Sequence, residues 1–151
     1  MRKIILGIIV LLCTLNIAKA QILTPVKWSY GVKRLNKSEG IVFLKATIDE
    51  GWHLYSQTVP DGGPTKTTIT FEKSSAYELI GPTQEPKPSI RVEMVFNGMT
   101  VSFFVNNVIF QQKVRLKSPG PVRIKGNVEF MTCDDQQCIP AETVPFSVII
   151  K

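Results

Sequence analysis

The feature that most constrains the fold is a period of two in the apolar side chains, repeated along the chain in about seven segments. Successive side chains of a β-strand point to opposite faces, so this period predicts strands with one buried face. The apolar positions that share a face are Val26, Trp28, Tyr30 and Val32; Val42, Leu44, Ala46 and Ile48; Ile69 and Phe71; Val122, Ile124, Val128 and Phe130; and Val144, Phe146, Val148 and Ile150. After the first twenty residues, no segment of ten residues or more has a convincing helical period.

Turn-forming segments separate the strands: "NKSEG", "PDGGP", "GPTQEPKPS" and "SPGP". Asn106-Asn107 lies between "VSFFV" and "VIFQQKVRL" and predicts a hairpin, because Asn tolerates positive φ. The Pro-rich stretch 82–89 is interpreted as a surface loop. Together these signals predict an all-β fold, an immunoglobulin-like antiparallel β-sandwich, with a closed barrel as the structural alternative.

The first twenty residues predict a secretory signal peptide, with a basic start, an apolar run and small residues before a cleavage site after Ala20. Residues 21–151 then form a single exported domain, which we expect in the periplasm. Cys13 would be removed with the leader, and Leu12 before it disfavours lipidation. An oxidising compartment favours joining the remaining two thiols, Cys133 and Cys138.

Charge argues against a nucleic-acid partner. The formal net charge is +6, and the leader contributes three positive residues and no acid, so the mature chain carries +3. The remaining basic residues are scattered and form no stripe of the kind that binds a phosphate backbone.

Three interpretations of "CDDQQC" remain open on the residues alone. A structural disulfide is the common fate of two exported cysteines, although closing a loop of about six residues contributes only about 2 kcal/mol. A metal site is disfavoured, because only His53 accompanies the two cysteines and a closed zinc site needs four ligands. Thiol–disulfide exchange requires exposed sulfurs, a short loop and access for a partner.

If the strand runs from Val122 to Cys133 without a bulge, parity places Cys133 on the face of Arg123, Lys125 and Glu129, which predicts a sulfur turned outward; a one-residue bulge would reverse this. Pro140 lacks an amide donor and should interrupt regular pairing, so we expect a loop mouth here and not a buried ladder. Asp134 and Asp135 would raise the pKa of a neighbouring thiol, which favours carrying reducing equivalents.

The segment "GNVEFMTCDDQQCIP" resembles the cysteine hairpin of the N-terminal periplasmic domain of the DsbD thiol:disulfide interchange family. "IDEGWHLYSQTVPDGGP" is similar to the family's "DGYYLY"-type segment, and "FNGM" followed by "VIFQQKV" resembles its cap-loop region. The resemblance extends over residues 25–150. It implies an immunoglobulin-like sandwich that passes electrons from a thioredoxin-like domain to periplasmic disulfide proteins, without a metal or organic cofactor.

Through this resemblance, the catalytic pair is Cys138, which forms the mixed disulfide, and Cys133, which closes the ring. Phe96 matches the aromatic cap that shields the disulfide, and Trp52 and Tyr55 match aromatic positions beside it. Each of these aromatic residues could equally serve ordinary packing.

The chain also departs from the family. Four residues separate its cysteines where the best-known members have five, and Met94 and Val95 replace an acidic pair before the cap. Because the sequence lacks the family's membrane and thioredoxin domains, the electron donor is expected to be another polypeptide, and docking to a membrane electron transporter is possible.

A protein-disulfide reductase-type oxidoreductase is therefore the expected activity. The alternatives are a secreted β-sandwich binding module with a purely structural disulfide, or an accessory subunit of an envelope assembly. His53 is interpreted as a polar strand or loop residue, which could assist deprotonation if it approached Cys138.

Overall fold

A computed structural model describes residues 23–151, and the predicted leader, its cleavage site and Cys13 lie outside this range. The described chain consists of ten strands and one 3-10 turn, Met94–Phe96. The strands are β1 (Val26–Arg34), β2 (Glu39–Ile48), β3 (His53–Tyr55), β4 (Thr68–Phe71), β5 (Tyr77–Gln84), β6 (Ser89–Glu93), β7 (Met99–Phe104), β8 (Asn107–Leu116), β9 (Val122–Cys133) and β10 (Cys138–Ile150). Within residues 23–151 no helix has the length and apolar character needed to cross a bilayer.

The strands form two antiparallel sheets that pack face to face. One sheet has the order β1-β2-β8-β5, and the other has the order β10-β9-β3-β7-β6 with β4 also paired to β9. The predicted antiparallel β-sandwich is confirmed.

The main core lies between the sheets and is filled by the faces that the alternation predicted. Val42, Leu44, Ala46 and Ile48 of β2 are all buried, and so are the predicted inner positions of β9. Trp28 and Tyr30 of β1 are partly exposed and pack against this core. The inner face of each strand was therefore predictable from its own period.

The predicted hairpin at Asn106-Asn107 is wrong, because the two strands that flank it, β7 and β8, do not pair with each other. Asn106 does adopt a positive φ of 63°, as expected. However, β7 belongs to the six-stranded sheet and β8 to the four-stranded sheet, so this connection crosses the sandwich. Both flanking strands find their hydrogen-bond partners elsewhere, β7 in β3 and β6, and β8 in β2 and β5.

The Pro-rich stretch 82–89 is only partly a loop. β5 continues through Gln84 and β6 begins at Ser89, which leaves residues 85–88 as the connection. Glu85 in this connection accepts hydrogen bonds from the Ser56 hydroxyl and the Gln57 amide, and thereby ties it to the segment after β3. Both β3 and β6 are short, and both carry residues of the site described below.

Two glycines in strands provide a matched test of the packing. A Cβ at Gly126 would overlap the Thr70 carbonyl oxygen of β4 and lie 2.6 Å from the Phe146 ring, whereas a Cβ at Gly31 would lie 4.0 Å from the nearest atom, on Phe43. We expect Gly126→Ala to lower the free energy of unfolding by about 2 kcal/mol or more, because β4 must move away from β9. Gly31→Ala should be neutral or stabilising by up to about 1 kcal/mol. Urea unfolding would measure both, and equal effects would contradict this account.

Candidate functional site

The two cysteines form a disulfide at the end of the β9–β10 ladder. Cys133 is the last residue of β9, Cys138 is the first of β10, and they are direct register partners with Cα atoms 4.0 Å apart. The register then shifts between Ile139 and Glu142, around Pro140, as the missing amide donor predicts. The cysteines themselves remain in the ladder, so the expected loop mouth begins only after them.

Cys133 is buried, with 1% of its surface exposed, which overturns the prediction of an outward, accessible sulfur. The parity argument identified the correct face, because Arg123, Lys125 and Glu129 are exposed along the same side of β9. At the end of β9, however, a second hydrophobic cluster covers this outer face. Its members are Tyr55, Val101 and Cys133, with Val59, Phe96, Met99, Phe103, Met131 and Cys138 packed against them.

Strand alternation explains why this cluster lies on the sheet face opposite to the main core. In β3, Leu54 enters the main core while Tyr55 belongs to the second cluster. In β7, Phe104 enters the main core while Val101 points the other way. The short strands β3 and β7 thus contribute to two cores at once.

Cys138 is only half-buried, in contrast to its fully buried partner. The two bonded cysteines therefore differ in burial, although both pack in the second cluster.

Phe96 stands on the turn that joins β6 to β7 and packs against the second cluster. Its ring meets that of Tyr55 edge to face, with centroids 6.2 Å apart. Asn97 and Gly98 have φ values of 55° and 74°, and the Gly98 amide donates to the Glu93 carbonyl oxygen. This left-handed pair reverses the chain so that the aromatic side chain folds back over the sheet.

The structure does not bring Trp52 into this cluster. Trp52 packs against the main core, on the other side of the sheet from Tyr55. Cys133, Cys138, Phe96 and Tyr55 are brought together, so four of the five site residues expected from the sequence share one location.

The acidic pair between the cysteines is engaged in local contacts. Asp134 accepts hydrogen bonds from the amides of Gln136 and Gln137, each at 2.7 Å, and these lower the pKa of its carboxyl group. Asp135 lies 3.5 Å from the Arg91 guanidinium. Asp134 thus shapes the turn, and Asp135 connects it to β6.

A buried polar network lies beside the disulfide on the same outer face. The Nε2 atom of His53 is 3.1 Å from the Tyr55 hydroxyl and 3.1 Å from Oε1 of Glu93. Arg91 donates to Glu93 at 2.7 Å from Nε, and its guanidinium lies over the Phe103 ring at 5.0 Å. Sequence reasoning missed the role of Arg91 and Glu93, although their spacing of two in "SIRVE" places both on one face of a strand.

The network shifts the protonation of its members. Burial, reinforced by the positive charge of Arg91, lowers the pKa of His53 against the opposing effect of Glu93. Burial and the Glu93 carboxylate raise the pKa of Tyr55 well above its usual range. These shifts favour the neutral forms of His53 and Tyr55, and the Arg91 guanidinium forms an ion pair with Glu93 at 2.6 Å.

The sequence matches one family, described as thiol:disulfide interchange protein DsbD, N-terminal, over residues 19–149. No curated protein matches the chain.

Solved structures of similar fold agree with this match. The N-terminal periplasmic domain of ScsB from Proteus mirabilis superposes with a TM-score of 0.62 at 15% identity, over 87% of this chain and 48% of that one. This chain thus spans about half the length of the ScsB chain. The reduced DsbD N-terminal domain of Neisseria meningitidis gives a TM-score of 0.54 at 12% identity, over 84% and 89% of the two chains. A complex between the DsbD and PilB N-terminal domains of the same organism gives 0.56 at 12% identity, over 84% and 87%. At these identities the likeness establishes the fold.

The lowered pKa of the only histidine generates a prediction about stability. The unfolded chain, with a histidine pKa of about 6.5, binds the proton more readily than the folded protein. The free energy of unfolding should therefore fall as pH drops below about 6.5, by at most about 1.4 kcal/mol per pH unit. Urea unfolding at several pH values between 5.5 and 7.5 measures this slope, which His53→Gln should abolish. A slope that persists in His53→Gln would refute the assignment.

Proposed function

Because the chain belongs to the family of N-terminal domains of the thiol:disulfide interchange protein DsbD, we propose that it relays electrons between proteins through the Cys133–Cys138 pair. In this role it is a protein-disulfide reductase-type oxidoreductase of the periplasm. The donor is a thioredoxin-like domain, and the acceptors are disulfide-bonded client proteins. The sulfurs of the chain carry the electrons, so the proposal requires no cofactor.

The observation that carries this proposal is the unequal burial of the two bonded cysteines. Cys138 is half-buried at the rim, and Cys133 is 1% exposed beneath the second cluster. Exchange proceeds by attack of a thiolate on one accessible sulfur, with the other sulfur as leaving group. The unequal burial supports Cys138 as the residue that forms the mixed disulfide and Cys133 as the residue that closes the ring.

Each half of the relay exchanges one disulfide for another. The donor's thiolate attacks Sγ of Cys138, Cys133 leaves as a thiolate, and the donor's second thiolate then forms the donor disulfide and releases Cys138. For delivery, the Cys138 thiolate attacks a client disulfide and expels one client thiolate. Cys133 then attacks Cys138, which re-forms the original disulfide and releases the second client thiolate. Two electrons move in each half.

The turn that carries Phe96 is the proposed cap over this pair. Met94 and Val95 on the same turn are 79% and 66% exposed. An apolar surface beside a reactive sulfur favours the docking of a partner protein. Contacts on Met94 and Val95 would displace the turn and widen access to Cys138 when a partner is present.

The proposed partners follow from the family. The DsbD N-terminal domain of Neisseria meningitidis is found in a complex with another protein domain. We infer a comparable, transient complex with a thioredoxin-like donor here, and we propose a membrane electron transporter as a second docking partner. Periplasmic location rests on the predicted leader and on the family.

Trapping of mixed disulfides tests the proposed relay. In Cys133→Ala, the thiol of Cys138 can attack a partner but nothing resolves the product, so mixed disulfides should accumulate in the periplasm. Cys138→Ala is the matched control, because its remaining thiol is buried and should capture little. Captured proteins are separated without reductant and identified by mass spectrometry, with a thioredoxin-like protein expected among them.

Capture by neither variant, together with a reduction potential below about −300 mV, would instead favour the binding module with an inert disulfide. Equal capture by both variants would contradict the assignment of Cys138 as the attacking residue.

The cap predicts faster reduction when its aromatic ring is removed. An aromatic pair is worth about 0.5–1.5 kcal/mol, so Phe96→Ala should open the turn more often and speed reduction of the disulfide by dithiothreitol roughly two- to tenfold. Met94→Ala changes an exposed residue of the same turn and should leave the rate unaltered. An unchanged rate in Phe96→Ala would show that the ring does not shield the sulfurs.

A further inference from the structure

His53 lies directly opposite Cys133 across the β3–β9 ladder. Directly opposed residues of an antiparallel pair have Cβ atoms about 4.5–5.5 Å apart on the same face of the sheet. Cys138, Cys133 and His53 thus form a row across β10, β9 and β3. Both His53 and Cys133 are almost completely buried, at 2% and 1% exposure.

The burial of Cys133 restricts how its thiol can lose and regain a proton. Cys133 must be a thiolate both when it leaves the disulfide and when it attacks to re-form it. Apolar surroundings disfavour the thiolate, and solvent does not reach a sulfur that is 1% exposed. The proton therefore has to be exchanged with a group inside the protein. His53 is the single histidine of the chain, and its register position in β3 is directly opposite Cys133.

We propose that His53 is the proton-exchange partner of Cys133 in the opening and closing of the disulfide. This inference deepens the proposed relay and rests on it. On closing, the Cys133 thiol gives its proton to the imidazole, and the resulting thiolate attacks Sγ of Cys138. The new Cys133–Cys138 bond forms as the bond to the client breaks, and the client sulfur leaves with that electron pair. The imidazolium then returns its proton to the departing client thiolate.

The groups around His53 suit this role. Glu93 from β6 faces Nε2 at 3.1 Å and stabilises the imidazolium while it exists. Arg91, also from β6, lies 3.1 Å from the ring nitrogens and opposes that charge, so the proton is released again. Asp135 of the cysteine loop holds Arg91 from the other side, at 3.5 Å, and Tyr55 on β3 stays neutral.

The closing step can be measured without any protein partner. Reduced protein is mixed with oxidised glutathione, which forms a mixed disulfide on Cys138, and acid quenching with mass spectrometry follows its conversion to the Cys133–Cys138 disulfide. We expect His53→Gln to slow this conversion at pH 7 by about a hundredfold, in the usual range of general acid–base catalysis. The deficit should shrink above about pH 9, where thiols lose their protons unaided.

Two further variants keep the test decisive. Glu93→Gln retains the imidazole but removes the charge that stabilises its protonated form, and it should slow closing at pH 7 by a smaller factor, about tenfold. Gln112→Leu removes a buried polar side chain of the four-stranded sheet, remote from the cysteines, and controls for loss of stability alone. Its closing rate should equal that of the unchanged protein.

The inference is overturned if His53→Gln closes at the normal rate at pH 7, or if it is slowed equally at every pH. If His53→Gln does not fold, a normal closing rate in Glu93→Gln overturns it instead. These outcomes are independent of partner capture by Cys133→Ala, so a failure of the relay is distinguishable from a failure of the proton-exchange role.

Discussion

The pairing of β9 with a strand on each side is the constraint on which the site depends. Antiparallel register sets Cys138, Cys133 and His53 in one row across three strands. Their backbone positions therefore do not depend on the conformation of a loop. Residues placed on paired strands are held more firmly than residues on loops, which favours chemistry that needs a fixed geometry. The rest of the site, from the cap turn to the polar network, is assembled around this row.

The six-stranded sheet uses both of its faces, and this explains how a small sandwich accommodates a protected sulfur pair. One face fills the main core, while the other carries a second cluster only at the end where β3, β6 and β7 lie beside β9. Within this cluster the polar groups of His53, Arg91 and Glu93 satisfy one another, which offsets the cost of their burial. The two bonded cysteines consequently differ in burial, the difference on which the proposed order of attack rests.

Features that depend on neighbouring residues were predicted from the sequence, whereas features that depend on distant strands were not. The period of two assigned the inner faces of β2 and β9 correctly, and Pro140 predicted the register shift. Parity also assigned Cys133 to the outer face, but it did not predict that Cys133 is buried there. The cover comes from Tyr55 and Val101, which lie 78 and 32 positions earlier in the chain and follow no local pattern. The positive φ of Asn106 was likewise predicted correctly, but the hairpin was not, because the strands on either side of Asn106 pair with distant strands.

The sequence by itself determined the alternating strands, their inner faces and the closeness of two cysteines separated by one short turn, because each depends on neighbours within a few residues. Only the tertiary structure decided that the outer face at the end of β9 is covered, that Trp52 faces the main core while Tyr55 joins the disulfide, and that His53 meets Arg91 and Glu93. These outcomes depend on which strands become neighbours in a sheet, and that choice is made by the packing of the whole domain.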